Sequence, residues 1–303
     1  MTAPNLTSPL VNEPERRGEV YDRGYQHYDG ERLGRKHAFA ALVRYSMKRA
    51  LGIKKGWGSK IIPIIVYVAV IIPVIVSIGI KGFLPSANII TYNALFALIF
   101  ALEGIFVATI APEMLCGDRR ENVLALYFSR AITRLDYLLA KLCAAAILTL
   151  TVSFLPAAFY WLGLQLLADH PLAALKDNIG DLGKIAIAGV LIALYLGALG
   201  LMISSFTGRK SIAVGIIIIG FIAISALAVA LYFALDGRSY RHYVLFMSPA
   251  DTARGLVQQL FAPLAARRRD EQIIFSVWAY GGAMIATVVV ALGVMFWRYV
   301  PED

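Results

Sequence analysis

The stretch IIPIIVYVAVIIPVIVSIGI, residues 61–80, carries no charged side chain in twenty positions. Twenty helical residues rise about 30 Å, the thickness of a bilayer's hydrocarbon core. Blocks of similar character follow at about 93–111, 142–167, 184–206, 211–235 and 273–297. They leave the 303-residue chain 59% hydrophobic and only 16% charged, with a mean hydropathy of +0.67. A soluble domain averages about 45–50% apolar and about 25% charged, so a soluble fold is excluded. The expected fold is all-α, a polytopic integral membrane protein with six transmembrane helices. Pro63, Pro73 and Pro156 fall inside spans, where they kink helices rather than end them. Tyr160 and Trp161, Trp278 and Tyr280, and Trp297 and Tyr299 sit near span ends, as interfacial aromatics do.

Ahead of the first span, residues 1–34 are polar and without apolar period, which reads as a flexible tail. Between residues 35 and 51, Phe39, Leu42, Val43, Met47, Ala50 and Leu51 recur at helical spacing, with Arg44, Lys48 and Arg49 between them. This predicts an amphipathic helix within 35–60, lying in the membrane interface with its basic residues toward lipid head groups. The first apolar block begins only near Ile61, so no cleavable leader is expected.

The net charge of +9 fits a membrane bias better than nucleic-acid binding. With the N-terminus inside, twenty Lys and Arg fall on the cytoplasmic side and nine outside. That places both termini in the cytoplasm, although Arg267–Arg269 run against the rule. The two cysteines, Cys116 and Cys143, suggest no disulfide framework. Four scattered histidines show no metal-ligand spacing, and no nucleophile motif or intramembrane carboxylate pair stands out. GIKKGWGSK, residues 52–60, superficially resembles a phosphate loop. Trp57 occupies the place of its second glycine and no Gly-Lys-Ser/Thr follows, so nucleotide binding by this chain is not expected. Gly189, Ala193 and Gly197 form a small-residue stripe in the fourth span, read as a helix-packing surface.

The longest charged connector is PEMLCGDRRENVLALYFSRAITRLDYLLAK, residues 112–141. Asp118 followed by Glu121 fits a helix N-terminus, after which Val123, Leu124 and Tyr127 supply one apolar face. A second start at Thr133 with Asp136 leads into the third span, which then projects about 12 Å below the membrane. Arg119, Arg120, Arg130 and Arg134 are expected on the exposed side. On physical grounds alone this is either a solvated loop or a docking surface for a soluble partner.

The run GDRRENVLALYFSRAITRLDYLLAKL resembles the cytoplasmic connector between spans two and three of ABC transporter permeases of the type-2 exporter class. More narrowly it is similar to six-span bacterial permeases akin to that of the nitrous-oxide-reductase maturation system. Glu113, Asp118, Arg119, Leu124, Tyr127, Ser129, Arg130, Arg134 and Lys141 occupy matching positions, with Ala131 where that family usually has proline. LGALGLMISSFTGRKSIAVG (196–215) and SPADTARGL (248–256) resemble two later family segments in the same order, with Ser248 in place of asparagine.

The resemblance implies a coupling helix in the connector, with Asp118, Arg119, Arg120, Glu121, Val123, Leu124, Tyr127, Arg130 and Arg134 facing an ATPase. It implies two cytoplasmic ABC ATPase subunits that hold ATP and magnesium, and a second permease subunit, identical or homologous. This chain itself would bind no cofactor and catalyse no reaction. Membrane lipids are the remaining expected partners, and the implied location is the bacterial inner membrane. A secondary transporter or a non-transporting membrane protein are the alternatives, and the substrate is not legible.

Two further sites stay open between readings. In the outer loop, 236–272, Ser248 can cap a helix that begins at Pro249 with Asp251 at its positive end. Ala253, Leu256, Val257, Leu260 and Leu264 give that helix an apolar stripe. It is either a packed cap or, in the family's terms, an exit gate involving Pro249, Asp251, Arg254, Leu256 and Leu260. Glu103 is the lone carboxylate near mid-span, where a charge costs about 2.5–3.5 kcal/mol on insertion scales. It either lines a route or an interface, or is buried against a neighbouring helix.

Overall fold

A computed structural model describes residues 34–53, 56–84, 90–121, 123, 127, 132–238, 240–261 and 275–299. Among these every regular element is helical. Helix α1 covers Gly34–Ala50, α2 Gly58–Phe83, α3 Tyr92–Arg120, α4 Arg134–Leu166, α5 Pro171–Asp177, α6 Ile179–Ser205 and α7 Lys210–Ala234. A 3-10 helix, Arg241–Met247, precedes α8, Pro249–Phe261, and α9, Val277–Tyr299, closes the described chain. Helices α2, α3, α4, α6, α7 and α9 are long and apolar enough to cross a membrane, giving the expected six spans.

The spans differ in how much apolar surface they bury. In α6, 61% of the apolar window is buried inside the protein, against 17% in α7. Helix α6 packs on α3, α4 and α9 and forms the centre, while α2, α7 and α9 present apolar rows outward. Small residues let the centre close. A Cβ added to Gly200 of α6 would lie 2.3 Å from a methyl of Val107 in α3. The stripe of Gly189 and Gly197 faces α4, with Leu150 and Ala145 as neighbours, which is the packing use its spacing predicts.

Helix ends are set by local chemistry. Thr133 and Asp136 form a reciprocal capping box at the start of α4, at 3.2 Å and 3.0 Å, so the third span begins where the sequence places it. Thr91 caps α3 through the Ala94 amide at 3.3 Å, and Ser248 caps α8 through the Asp251 amide at 3.1 Å. Four prolines interrupt no helix: Pro63, Pro73, Pro112 and Pro156 all lie within long ones.

One boundary differs from expectation in a way that matters below. The second span does not stop near residue 111; α3 runs on for more than two further turns to Arg120. The amide of Glu121 still donates to the carbonyl of Gly117 at 3.0 Å. Asp118 therefore belongs to the last turn of α3 and does not open a new helix.

Candidate functional site

The site is built where α3 ends and α4 begins, on the two sides of the connector. Asp118 is fully buried there, as is Lys141 one turn inside α4 from Tyr137. The Lys141 ammonium meets Asp118 Oδ2 at 2.7 Å and donates to the Met114 carbonyl at 3.0 Å. Tyr137 donates its hydroxyl to the same Oδ2 at 2.9 Å. The other carboxylate oxygen, Oδ1, accepts from Arg49 Nη1 at 2.5 Å. Arg49 comes from α1 and also reaches Glu121 Oε1 at 3.2 Å.

One buried carboxylate thus joins α1, α3 and α4. Burial alone would disfavour the Arg49 cation, but the facing Asp118, Tyr45 and Glu121 outweigh it and raise its pKa. Gly117 supplies the room: a Cβ there would lie 1.8 Å from Arg49 Nη2. Arg35, at the other end of α1, grips Asp136 with two bonds of 2.8 Å and 2.7 Å. Helix α1 is therefore clamped to both flanks of the connector. Of the basic residues expected toward lipid head groups, Arg49 instead faces a protein carboxylate, while Arg44 and Lys48 are exposed.

Aromatic rings cover the network. Tyr127 packs on Tyr137 at 5.8 Å between centroids, and Tyr299 of α9 packs on Tyr137 at 5.9 Å. Tyr127 is helical and half-buried, with its amide donating to the Val123 carbonyl at 3.2 Å. Burial first, then the nearby Asp118 and Tyr45, push its phenol up to about 12. A neutral ring there shields the ion pairs from water, which strengthens them.

Helix α6 ends against the same region. Its last carbonyls lack partners within the helix; Arg119 of α3 donates to that of Ser205, and the Cys116 thiol lies 3.7 Å from that of Ser204 and 3.2 Å from the Thr207 carbonyl just beyond the helix. Lys210, the first residue of α7, pairs with Glu113 of α3. The end of α3 is thereby tied to four other helices.

On the opposite face, α8 buries Pro249, Thr252, Ala253, Gly255, Leu256 and Val257. A cavity of about 490 Å³ lies between α8 and the first turns of α3, lined by Thr91, Asn93, Phe96, Phe100, Asp251 and Arg254 among others. Phe96, which lines it, and Tyr92 both stack on Phe261, at 5.7 Å and 4.7 Å. Glu103 lies one turn beyond Phe100 and is fully buried. Among the described residues neither of its oxygens has a hydrogen-bond partner of ordinary geometry. Ser153 of α4 interacts with it electrostatically, but the serine hydroxyl donates to the Leu150 carbonyl at 3.4 Å.

The family model described as ABC-2 family transporter protein matches residues 18–303. The chain belongs to the ABC-2 transporter family. It is a multi-pass membrane protein, the permease component of an ABC transporter, and is not itself a catalyst. No curated protein matches it.

Within this ABC-2 permease the residues expected to face an ATPase separate into distinct groups. Arg120 and Glu121 are exposed. Val123 and Tyr127 are half-buried at the connector's start, and Arg134 is half-buried at the foot of α4. Asp118, expected to open a helix and to face an ATPase, is enclosed, and Arg119, expected on the exposed side, is turned against α6; both expectations are corrected. Leu124 and Arg130 lie outside the described residues, as does Leu264. Among the residues of the loop expected to be external, Pro249 and Leu256 are buried, Asp251 and Leu260 half-buried and Arg254 exposed. Arg49 and Arg35 escaped the sequence reading as network members because nothing local links them to carboxylates 69 and 101 positions away.

Proposed function

We propose that this ABC-2 permease is the membrane subunit of an ATP-driven exporter, working as a dimer with a second permease and two separate cytoplasmic ABC ATPases. Family membership supports the class, and the Asp118 network supports the mechanism. ATP binding draws the ATPases together and displaces the connector, 112–141. Because Asp118 and Lys141 lock α3 to α4, and Arg49 locks both to α1, that displacement moves spans two and three as a unit. Coupling of this kind needs an element that both sites bias, and the enclosed ion cluster supplies its stiffness. At the other end, the movement opens or closes the cavity between α3 and α8, which serves as the exit. Poorly buried α7 faces lipid or the second permease.

The excess of Lys and Arg around α1 and the connector supports a cytoplasmic position for this face and for both termini. A bacterial inner membrane, and the narrower likeness to maturation-type permeases, complete the proposal. The direct test is charge reversal at the two exposed positions, Arg120→Glu and Glu121→Lys. Loss of a co-purifying ABC ATPase, or of substrate-stimulated ATP turnover, is the expected result. Normal association and turnover in both variants would sink the docking assignment.

A further inference from the structure

Against the network's outer flank lies a cavity of about 600 Å³ whose charged walls come from three helices. Arg44, Lys48 and Arg49 belong to α1, Arg120 ends α3 with Glu121 beside it, and Lys210 begins α7. Arg49 is already held by Asp118 and Lys210 by Glu113. Glu121 is shared between Arg49 at 3.2 Å and Arg120 at 3.8 Å. Among the described residues neither Arg44 nor Lys48 has a carboxylate partner. Arg44 donates to Ala40 of its own helix at 3.3 Å, and both side chains are exposed. Cations gathered without matching anions repel one another, so an anion seated among them is bound favourably.

The surroundings of this groove decide which anion. Arg49 and Gly52 also line a cleft of about 160 Å³ that continues to Ile62 and Pro63 of α2, with Thr109 and Glu113 of α3 on its other wall. Ile61, Ile62, Ile64 and Ile65 are between 42% and 58% exposed on the first membrane span, where the outward surface meets hydrocarbon. Trp57, just before α2, is 79% exposed, with the Lys60 ammonium 5.6 Å above its ring. Indoles gather at the level of lipid head groups. A cationic groove leading onto lipid-facing isoleucines suits a molecule with an anionic head and an apolar tail.

We propose that this groove binds the phosphate of an anionic phospholipid, held by Arg44, Lys48 and Arg120, with the acyl chains lying along the first turns of α2. Inorganic phosphate offers the cations the same chemistry but gives the isoleucines nothing to cover. Basic pockets between helices near the membrane surface recognise anionic head groups in this way. The site needs no ATPase, so it stands or falls separately from the coupling reading.

The full chain is purified in detergent, exchanged into nanodiscs of phosphatidylcholine and phosphatidylglycerol, and re-extracted for native mass spectrometry. Wild type retains phosphatidylglycerol over phosphatidylcholine. Arg44→Gln combined with Lys48→Gln lowers that preference about fivefold for each cation removed, roughly 25-fold for the pair, with elution volume and helicity unchanged. Arg120→Gln lowers it separately, and decides the matter if the pair variant fails to fold. Undiminished phosphatidylglycerol retention in folded variants overturns the proposal. Binding of inorganic phosphate with no preference for phosphatidylglycerol over phosphatidylcholine overturns it too, by making this a free-phosphate site. If the folded pair variant keeps its lipid but loses a co-expressed ABC ATPase, the groove belongs to a protein partner and the proposal is again overturned.

Discussion

Asp118 and Arg49 stand 69 positions apart and meet at 2.5 Å in the interior of the protein. Their contact sits at the root of the connector, with Lys141 closing the other side of the carboxylate at 2.7 Å. Two cations therefore depend on one buried anion. A buried ion pair adds little net stability, because desolvation offsets its attraction, but breaking one is costly.

Asp118→Ala strands Lys141, leaves Arg49 with Glu121, and is expected to cost about 3–5 kcal/mol. Asp118→Asn combined with Lys141→Met removes charge from both sides and costs clearly less. Thermal unfolding of the detergent-solubilised protein measures both. Equal losses would show that the charges are not the source of the effect.

Arg119 and Arg120 are neighbours with opposite assignments. Arg119→Ala strips a charged donor from the Ser205 carbonyl, an interaction worth about 1.5–3 kcal/mol, and lowers the melting midpoint. Arg120 is 67% exposed, so Arg120→Ala stays within about 0.5 kcal/mol of wild type while weakening partner association. Melting curves and co-purification, read together, separate the two.

Gly200 and Gly220 provide a packing contrast. Helix propensity favours Ala over Gly by about 1 kcal/mol at either site. Around Gly220 there is nothing within 4 Å of an added Cβ, so Gly220→Ala raises stability. At Gly200 the 2.3 Å approach to Val107 makes overpacking the larger effect, and Gly200→Ala destabilises by about 1–3 kcal/mol. Adding Val107→Ala restores part of the loss, a coupling that a double-mutant cycle reads out.

Thr133 starts the third span. Thr133→Ala removes the cap and is expected to cost about 1 kcal/mol, with faster amide exchange confined to the first turn of α4. Arg35→Ala opens an exposed bond to Asp136 and leaves that exchange close to wild type. Matching protection losses in the two variants would show that the α1 clamp, not the cap, holds the helix start.

Glu103 tests the cost of a buried carboxyl. With Ser153 its one contact and neither oxygen bonded in ordinary geometry among the described residues, Glu103→Met exchanges a poorly satisfied polar group for an apolar one of similar length. The melting midpoint holds or rises, since burying an unpaired polar group costs free energy. A fall of several degrees would reveal that the carboxyl anchors α3 to α4.

The sequence was most legible where chemistry is local. Apolar blocks of span length, the Thr133–Asp136 box and the Ser248 cap each depend on residues within a few positions of one another. The spacing of Asp118 and Glu121 misled for the same reason. Locally it matches a helix start, yet the long-range pull of Arg49, Lys141 and Tyr137 keeps Asp118 inside a helix that continues. Arg119 was misplaced because a positive charge in a polar connector says nothing of which helix end lies beside it. The 3-10 helix Arg241–Met247 and short α5 left no pattern strong enough to read.

By itself the sequence determined that this is a six-span helical membrane protein, because hydrocarbon forces each crossing backbone to satisfy its own hydrogen bonds over about twenty apolar residues. Sequence also marked the connector as charged and, through resemblance, pointed to the transporter class that the family match bears out. Only the tertiary structure decided which charges of that connector are surface and which are core. Burial of a carboxylate must be answered by cations at bonding distance, and those came from α1 and α4, helices whose approach to α3 no local pattern encodes.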